Sequence, residues 1–119
     1  LDAVVLKHSI RVNGITGLVI TKLDILDELD TIKICTAYRY EGRLYEEMPK
    51  EYKVFSNCEP QFIELKGWKT KTTGIKEYDK LPEMARRYLK KIEELLGVPI
   101  VLISTGQRRD ELIRMASVF

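Results

Sequence analysis

The chain has 119 residues, of which 45% are hydrophobic, and this is enough for one domain with a modest core. Its 20 basic and 18 acidic residues leave a net charge of +2, which gives no electrostatic reason to expect nucleic acid or a membrane surface as a partner. The sequence contains no signal peptide and no apolar run near the ~18 residues of a membrane span. We therefore expect a cytoplasmic protein with no nucleic-acid or membrane partner.

The start of the chain and its cysteines bear on what kind of polypeptide this is. The chain begins at Leu1 rather than at a methionine, and we interpret it as a fragment of a longer protein. Cys35 and Cys58 fit no metal-binding spacing. Reduced thiols in a reducing compartment are the simplest interpretation, and one disulfide stays open as an alternative.

The first half of the chain predicts a helix, a buried strand and a hairpin. Asp2 suits the start of a helix, and residues 13–14 suit its end. The segment "GLVIT" is short, apolar on both faces and followed by charge, which is typical of a central strand in a parallel sheet. "DILDELD" indicates a polar turn or short helix. "TIKICTAYRY" then turns at residues 41–42 into "RLYEE", which predicts an antiparallel hairpin.

The second half predicts a strand, a loop, a helix and a closing strand–helix pair. "EPQFIEL" is a candidate strand, and the polar segment 67–80 is a candidate surface loop. "LPEMARRYLKKIEELLG" predicts an amphipathic helix with one apolar stripe, which begins near Pro82 and ends at Gly97. "PIVLIST" is a second buried strand. "RDELIRMA" is a candidate short helix. The order predicts an α/β fold: part of a mostly parallel sheet flanked by helices, P-loop-NTPase-like, with an antiparallel hairpin excursion.

Polar residues follow both predicted buried strands. They are Lys22, Leu23 and Asp24 after the first strand, and Ser104, Thr105 and Gly106 after the second. In open α/β sheets, ligands bind outside the carboxyl ends of the strands, so we expect the two endings to face one pocket.

Asp24 indicates what that pocket would bind. A fixed carboxylate has two acceptor oxygens, which match the N1–H and amino donors of guanine, a donor pair that adenine lacks. The aliphatic stem of Lys22 can lie along a base, and Gly106 allows backbone N–H groups to approach the guanine O6. The simpler alternative is that these charged strand ends only begin solvated loops.

The remaining candidates favour structural roles. His8 is the only histidine in the sequence and has no metal-spaced partner, so we expect it at or near the surface. We interpret Trp68 as a packing anchor beneath the long loop, and the arginine pairs 86–87 and 108–109 as solvated helix faces. The sequence contains neither a glycine-rich phosphate loop nor a nucleophile with its base, so we predict no catalytic residue in this chain.

Four segments resemble adenylosuccinate synthetase, in order and over essentially all 119 residues. They are "RVNGITGLVITKLDILDELDTIKICTAYRYEG", "CEPQFIELKGW", "LPEMARRYLKKIEELLGVPIVLISTG" and "RRDELI". The resemblance is to the C-terminal portion of that family. It implies a GTP-dependent C–N ligase of the AMP branch of purine nucleotide biosynthesis, which joins IMP and L-aspartate to give adenylosuccinate, GDP and phosphate. It also implies Mg²⁺ with the nucleotide and a homodimer.

Carried over by motif, residues 22–24 and 104–106 correspond to the family's GTP-binding segments. Gln107 and Arg108 stand where the family often has a Pro-Asp pair, and we assign neither a role. The resemblance implies that the catalytic groups and Mg²⁺ ligands lie upstream, in a missing N-terminal portion. We therefore expect residues 1–119 to supply guanine recognition and to be inactive alone. The alternative is a stand-alone guanine-nucleotide-binding or interaction module without catalysis.

Overall fold

The computed structural model describes residues 1–47 and 57–115 and divides the chain into two compact units. Length and composition alone predict a single domain. The first unit comprises residues 1–15 and 33–64, and the second comprises residues 16–32 and 65–119.

The first unit contains a capped helix. Helix α1 spans Ala3–Asn13, and a carboxylate oxygen of Asp2 accepts the backbone N–H of Val5 at 3.1 Å. The other Asp2 oxygen accepts the hydroxyl of Tyr38. Gly14 ends the helix in the left-handed region, at φ 63°. The predicted start and end of this helix are confirmed, and a side-chain cap of this kind stabilises a helix by about 1 kcal/mol.

Most of a three-stranded sheet, in the order β3-β2-β4, also belongs to the first unit. Its strands are β2 (Thr31–Tyr40), β3 (Arg43–Tyr45) and β4 (Glu59–Lys66). Strands β2 and β3 pair antiparallel across the turn at residues 41–42, so the predicted hairpin is confirmed. Cys35 is buried and is not joined to Cys58 by a disulfide; the interpretation of both as reduced thiols stays a prediction.

The second unit is built on a mixed three-stranded sheet with the order β1-β5-β6. Its strands are β1 (Leu18–Ile20), β5 (Ile100–Ser104) and β6 (Leu112–Arg114). Strands β1 and β5 are parallel, whereas β5 and β6 are antiparallel. The expected α/β class is confirmed, but this small mixed sheet does not confirm the mostly parallel, P-loop-like sheet that we predicted.

Two predictions about this sheet are wrong. The segment "RDELIRMA" contains strand β6 rather than a helix. Ile113 pairs with Ile103 of β5, and this non-local pairing overrides the local helix propensity of the segment. Residue 116, the last of the segment, lies outside the described residues. Strand β1 is at an edge of the described sheet, not at its centre, and Val19 is 55% exposed. A short apolar run has the same sequence signature in either position.

The predicted amphipathic helix is present as α2, Glu83–Leu96, with Pro82 at its N-cap and Gly97 in the left-handed region at φ 72°. Its buried residues follow the predicted stripe: Ala85, Tyr88, Leu89, Ile92 and Leu96. No helix in residues 1–47 or 57–115 has the length and apolar character needed to cross a membrane.

The structure also places the residues to which we assigned structural roles. His8 is exposed on α1, as expected. Arg87 is exposed and pairs with Glu83, but the Nε atom of Arg86 is buried, so this residue is not on a solvated face. Residues 108–109 are exposed on a turn rather than on a helix.

Candidate functional site

The chain turns sharply where strand β1 ends. Lys22 takes a left-handed conformation at φ 52°, and a short 3₁₀ helix, Leu23–Leu26, follows it. The side chain of Leu23 is fully buried and anchors this turn to the core of the second unit. The backbone N–H of Asp27 donates to the carbonyl oxygen of Asp24 at 3.1 Å. We call residues 22–30 the strand-end turn.

Asp24 has an unusual environment for a carboxylate. Its side chain is half-buried, and its Oδ1 atom is buried without a hydrogen-bond partner among the residues that the structure describes. Leaving a buried charged acceptor without a donor costs about 1–3 kcal/mol or more, so such atoms are rare in folded proteins. A ligand that donates a hydrogen bond at this position would remove that cost.

Asp24 lies in the wall of a cleft of about 730 Å³, a size within the usual range for small-molecule sites. The strand-end turn and the loop at residues 67–80 both line this cleft. The lining residues are Asp24, Ile25, Asp27 and Glu28 from the turn, and Lys69, Thr70, Lys71 and Thr73 from the loop. The cleft is therefore built from two segments that are distant in sequence and belong to the same unit.

A buried carboxylate joins the two walls of the cleft. Asp27 is only 8% exposed. Its Oδ1 accepts the indole N–H of Trp68 at 2.7 Å and the hydroxyl of Thr72 at 2.6 Å, and its Oδ2 accepts the backbone N–H of Thr72 at 2.7 Å. The Trp68 ring also packs against that of Tyr88, with ring centroids 5.8 Å apart. The expected packing role of Trp68 is confirmed, but its bond to Asp27 was not predicted.

Further contacts hold the loop against the strand-end turn. The backbone N–H of Gly67 donates to the carbonyl oxygen of Asp30 at 2.9 Å, and a Cβ atom at position 67 would overlap the carbonyl group of Leu29. Lys69 donates to the carboxylate of Asp30 at 2.8 Å. This bond and the opposite charges lower the pKa of Asp30 and raise the pKa of Lys69. Both side chains are exposed, so solvent screens this pair.

The second predicted strand ending is occupied by internal hydrogen bonds. The Ser104 hydroxyl donates to the carbonyl oxygen of Gly106 at 2.9 Å. Thr105 is fully buried, and its hydroxyl lies 2.8 Å from the carbonyl oxygen of Ile75. The backbone N–H of Thr105 donates to the carbonyl oxygen of Glu111 at 2.9 Å. A Cβ atom at position 106 would overlap the Glu111 carboxylate, so a larger residue there would require this side chain to shift.

The structure therefore brings together only part of the predicted site. Strands β1 and β5 are parallel, so both endings leave from the same end of the sheet. Asp24 lines the cleft, but Lys22, Leu23 and residues 104–106 are not among its lining residues. Lys22 is exposed, and the side chain of Leu23 faces the core. The cleft-lining residues of the loop were missed, because their polar sequence gives no signal beyond that of a surface loop.

The sequence model of the adenylosuccinate synthetase family matches residues 1–113. The chain belongs to this family. The adenylosuccinate synthetase of Trichlorobacter lovleyi is 48% identical over 118 residues, which cover 99% of this chain and 27% of that protein. That of Thermodesulfovibrio yellowstonii is 53% identical over 113 residues, which cover 95% of this chain and 27% of that protein. The chain thus spans about a quarter of the length of these adenylosuccinate synthetases.

A solved structure of a fully ligated adenylosuccinate synthetase from Plasmodium falciparum is also similar to this chain. It matches with a TM-score of 0.89 at 33% identity, over 97% of this chain and 28% of that one. The matches support membership of the adenylosuccinate synthetase family. They do not support the further expectation that the segment is the C-terminal portion, and that placement stays a prediction.

Magnesium is the metal that the family resemblance implies. Within residues 1–47 and 57–115, no group of three or more histidine, cysteine, aspartate or glutamate side chains is placed to hold a metal ion. We therefore assign none of the described residues a role as a magnesium ligand.

Proposed function

We propose that the complete protein to which this chain belongs joins IMP and L-aspartate, using GTP, to give adenylosuccinate, GDP and phosphate. In this proposal, residues 22–24 and 104–106 form the guanine end of the GTP site. The support for the reaction is membership of the adenylosuccinate synthetase family together with the names of the relatives. The support for the guanine end is the environment of Asp24.

The buried Oδ1 of Asp24 is the observation that carries the assignment to guanine. This oxygen lacks a donor among the described residues and belongs to a side chain in the wall of the cleft. Guanine has two adjacent donors, N1–H and the 2-amino group, and a carboxylate with both oxygens available can accept both. Bonds of this kind to a charged acceptor are worth about 1.5–3 kcal/mol each, and adenine cannot form the pair.

The other proposed GTP-binding residues would contribute in different ways. Lys22 is exposed, so its stem is free to lie along a base with its ammonium group in solvent. Leu23 is buried and would act only through its backbone. The hydroxyls of Ser104 and Thr105 are engaged internally. The proposed GTP-binding role of residues 104–106 is therefore supported more by the family resemblance than by the geometry.

The resemblance extends the proposal to the rest of the enzyme. It implies that Mg²⁺ accompanies the nucleotide through ligands outside this chain, that the complete protein is a cytoplasmic homodimer, and that this segment is its C-terminal portion. The complete coding sequence tests the last point. We expect a glycine-rich phosphate loop upstream of the segment, and such a loop encoded downstream of it would contradict the placement.

An assay of the complete protein tests the proposed reaction. With IMP, L-aspartate, GTP and Mg²⁺ present, we expect adenylosuccinate, GDP and phosphate in equal amounts, and no product when any one of these components is omitted. ATP is the matched control for base recognition, because it carries the same triphosphate without the guanine donor pair. Product formation with ATP at the rate seen with GTP would contradict the proposed guanine site.

A further inference from the structure

Asp27 is a buried charged residue to which the proposed reaction gives no role. Its two carboxylate oxygens accept three hydrogen bonds, and all three donors belong to Trp68 and Thr72 of the loop. Bonds that link residues 41 and 45 positions apart fix one segment against another rather than stabilising a local turn. The carboxylate thus ties the strand-end turn to the loop that forms the other wall of the cleft.

Asp27 is also tied directly to Asp24. The backbone N–H of Asp27 donates to the carbonyl oxygen of Asp24 at 3.1 Å, closing the turn that carries both side chains. Both residues line the same cleft. Because a single hydrogen-bonded turn separates them, a shift of Asp27 changes where the Asp24 carboxylate points. Directed bonds to a base lose much of their strength when the acceptor is displaced or misaligned.

We propose that Asp27 is a positioning residue for base recognition: by holding Trp68 and Thr72, it fixes the carboxylate of Asp24 where a guanine base donates to it. The inference rests on the proposed function, in which Asp24 recognises guanine. It goes further by assigning part of the base selectivity to a residue whose carboxylate accepts hydrogen bonds from Trp68 and Thr72 rather than from the base.

The pattern of donors explains why even a close replacement of Asp27 should matter. Asparagine keeps the size of the side chain but replaces one acceptor oxygen by an amide donor. If the amide nitrogen takes the Oδ2 position, it faces the backbone N–H of Thr72. If it takes the Oδ1 position, it faces the indole N–H of Trp68. Either orientation places two donors against each other, so the loop and the turn must separate or rotate.

The test compares GTP with ITP as substrates of the complete enzyme, because the ITP base lacks the 2-amino donor. For Asp27→Asn we expect the ratio of kcat/KM for GTP to that for ITP to fall by about five- to tenfold, less than the loss of a whole charge-assisted bond, because the bond to Asp24 is misaligned rather than removed. The KM for GTP should rise, while kcat and the KM values for IMP and L-aspartate stay near those of the wild type. A merely structural role would lower the activity with GTP and ITP equally and leave the ratio unchanged.

Three further variants separate the possible causes. Thr72→Val removes only a hydroxyl donor, so we expect it to lower the GTP-to-ITP ratio less than Asp27→Asn does. It also provides a second measurement if the Asp27→Asn variant folds poorly. Thr72→Ser keeps the donor and should restore the wild-type ratio. Asp79→Asn is the matched control, because it makes the same chemical change at an exposed position of the same unit that does not line the cleft. It should leave the ratio unchanged.

Asp24→Asn separates the inference from the function on which it rests. If Asp24→Asn leaves the GTP-to-ITP ratio unchanged, Asp24 does not recognise the base and the proposed guanine site is wrong. If Asp24→Asn lowers the ratio but Asp27→Asn and Thr72→Val do not, the guanine site stands and the positioning role of Asp27 is overturned.

Discussion

Replacing Asp24 by asparagine is expected to lower the use of GTP by the complete enzyme by about ten- to a hundredfold, the loss of one charge-assisted hydrogen bond. The same change should improve the use of xanthosine triphosphate. Asparagine replaces one acceptor oxygen by an amide donor, and xanthine carries a carbonyl acceptor where guanine has its 2-amino donor. The substitution therefore mismatches guanine and matches xanthine at the same position.

The structure gives a further reason to expect a large effect of Asp24→Asn on the use of GTP. Oδ1 of Asp24 is buried and has no other donor among the described residues, so none of these residues compensates for the lost bond. The measurement is kcat/KM for GTP and for xanthosine triphosphate in both enzymes. Asp79→Asn, the same change at an exposed position of the same unit, is the control and should leave both values unaltered. Unchanged use of GTP by Asp24→Asn would show that Asp24 does not recognise the base.

The 119-residue chain by itself is expected to have no ligase activity and to bind GTP only in the millimolar range or more weakly, about 4 kcal/mol at most. A base pocket gains a few directed bonds, but a triphosphate carries several negative charges. Replacing the water around those charges requires backbone N–H groups, a lysine and a metal ion arranged as a phosphate loop. The sequence of this chain contains no such loop. Phosphoryl transfer depends on that positioning, so no residual rate is expected.

Titration of the purified chain with GTP and Mg²⁺ in a calorimeter, alongside a measurement of its size in solution, tests this expectation. Strand β1 is an edge of the described sheet and exposes Val19, so we expect the isolated chain to self-associate or to be marginally stable. The chain carrying Asp24→Asn is the control for any weak heat signal. Micromolar binding by a monodisperse monomer would contradict the account and favour a stand-alone guanine-binding module.

The sequence predicted those elements whose signals are local. Helix α2 has a complete apolar stripe with Pro82 and Gly97 at its ends, and the hairpin of β2 and β3 has alternating polarity around residues 41–42. Strand β6 has no such signal, because three residues cannot establish a period and pairing with β5 decides their conformation. The edge position of β1 could not be predicted either, because it depends on the order of the strands in the sheet rather than on local composition.

The same distinction between local and long-range signals applies to the candidate site. Asp24 could be proposed from the sequence because a charged residue shortly after a parallel strand is a local pattern with a general structural meaning. The network of Asp27, Trp68 and Thr72 could not, because its bonds connect positions 41 and 45 residues apart. The engagement of the Thr105 hydroxyl with Ile75 was missed for the same reason. Hydrogen bonds between residues distant in sequence produce no periodic pattern from which they could be predicted.

A crystal structure of the complete protein with bound GDP would show whether Asp24 binds the guanine base. We expect the two carboxylate oxygens of Asp24 to accept N1–H and the 2-amino group of guanine at about 2.7–3.2 Å, with the base in the cleft between the strand-end turn and the loop. A guanine base bound elsewhere, or one whose N1 and 2-amino group contact only other residues or solvent, would contradict it.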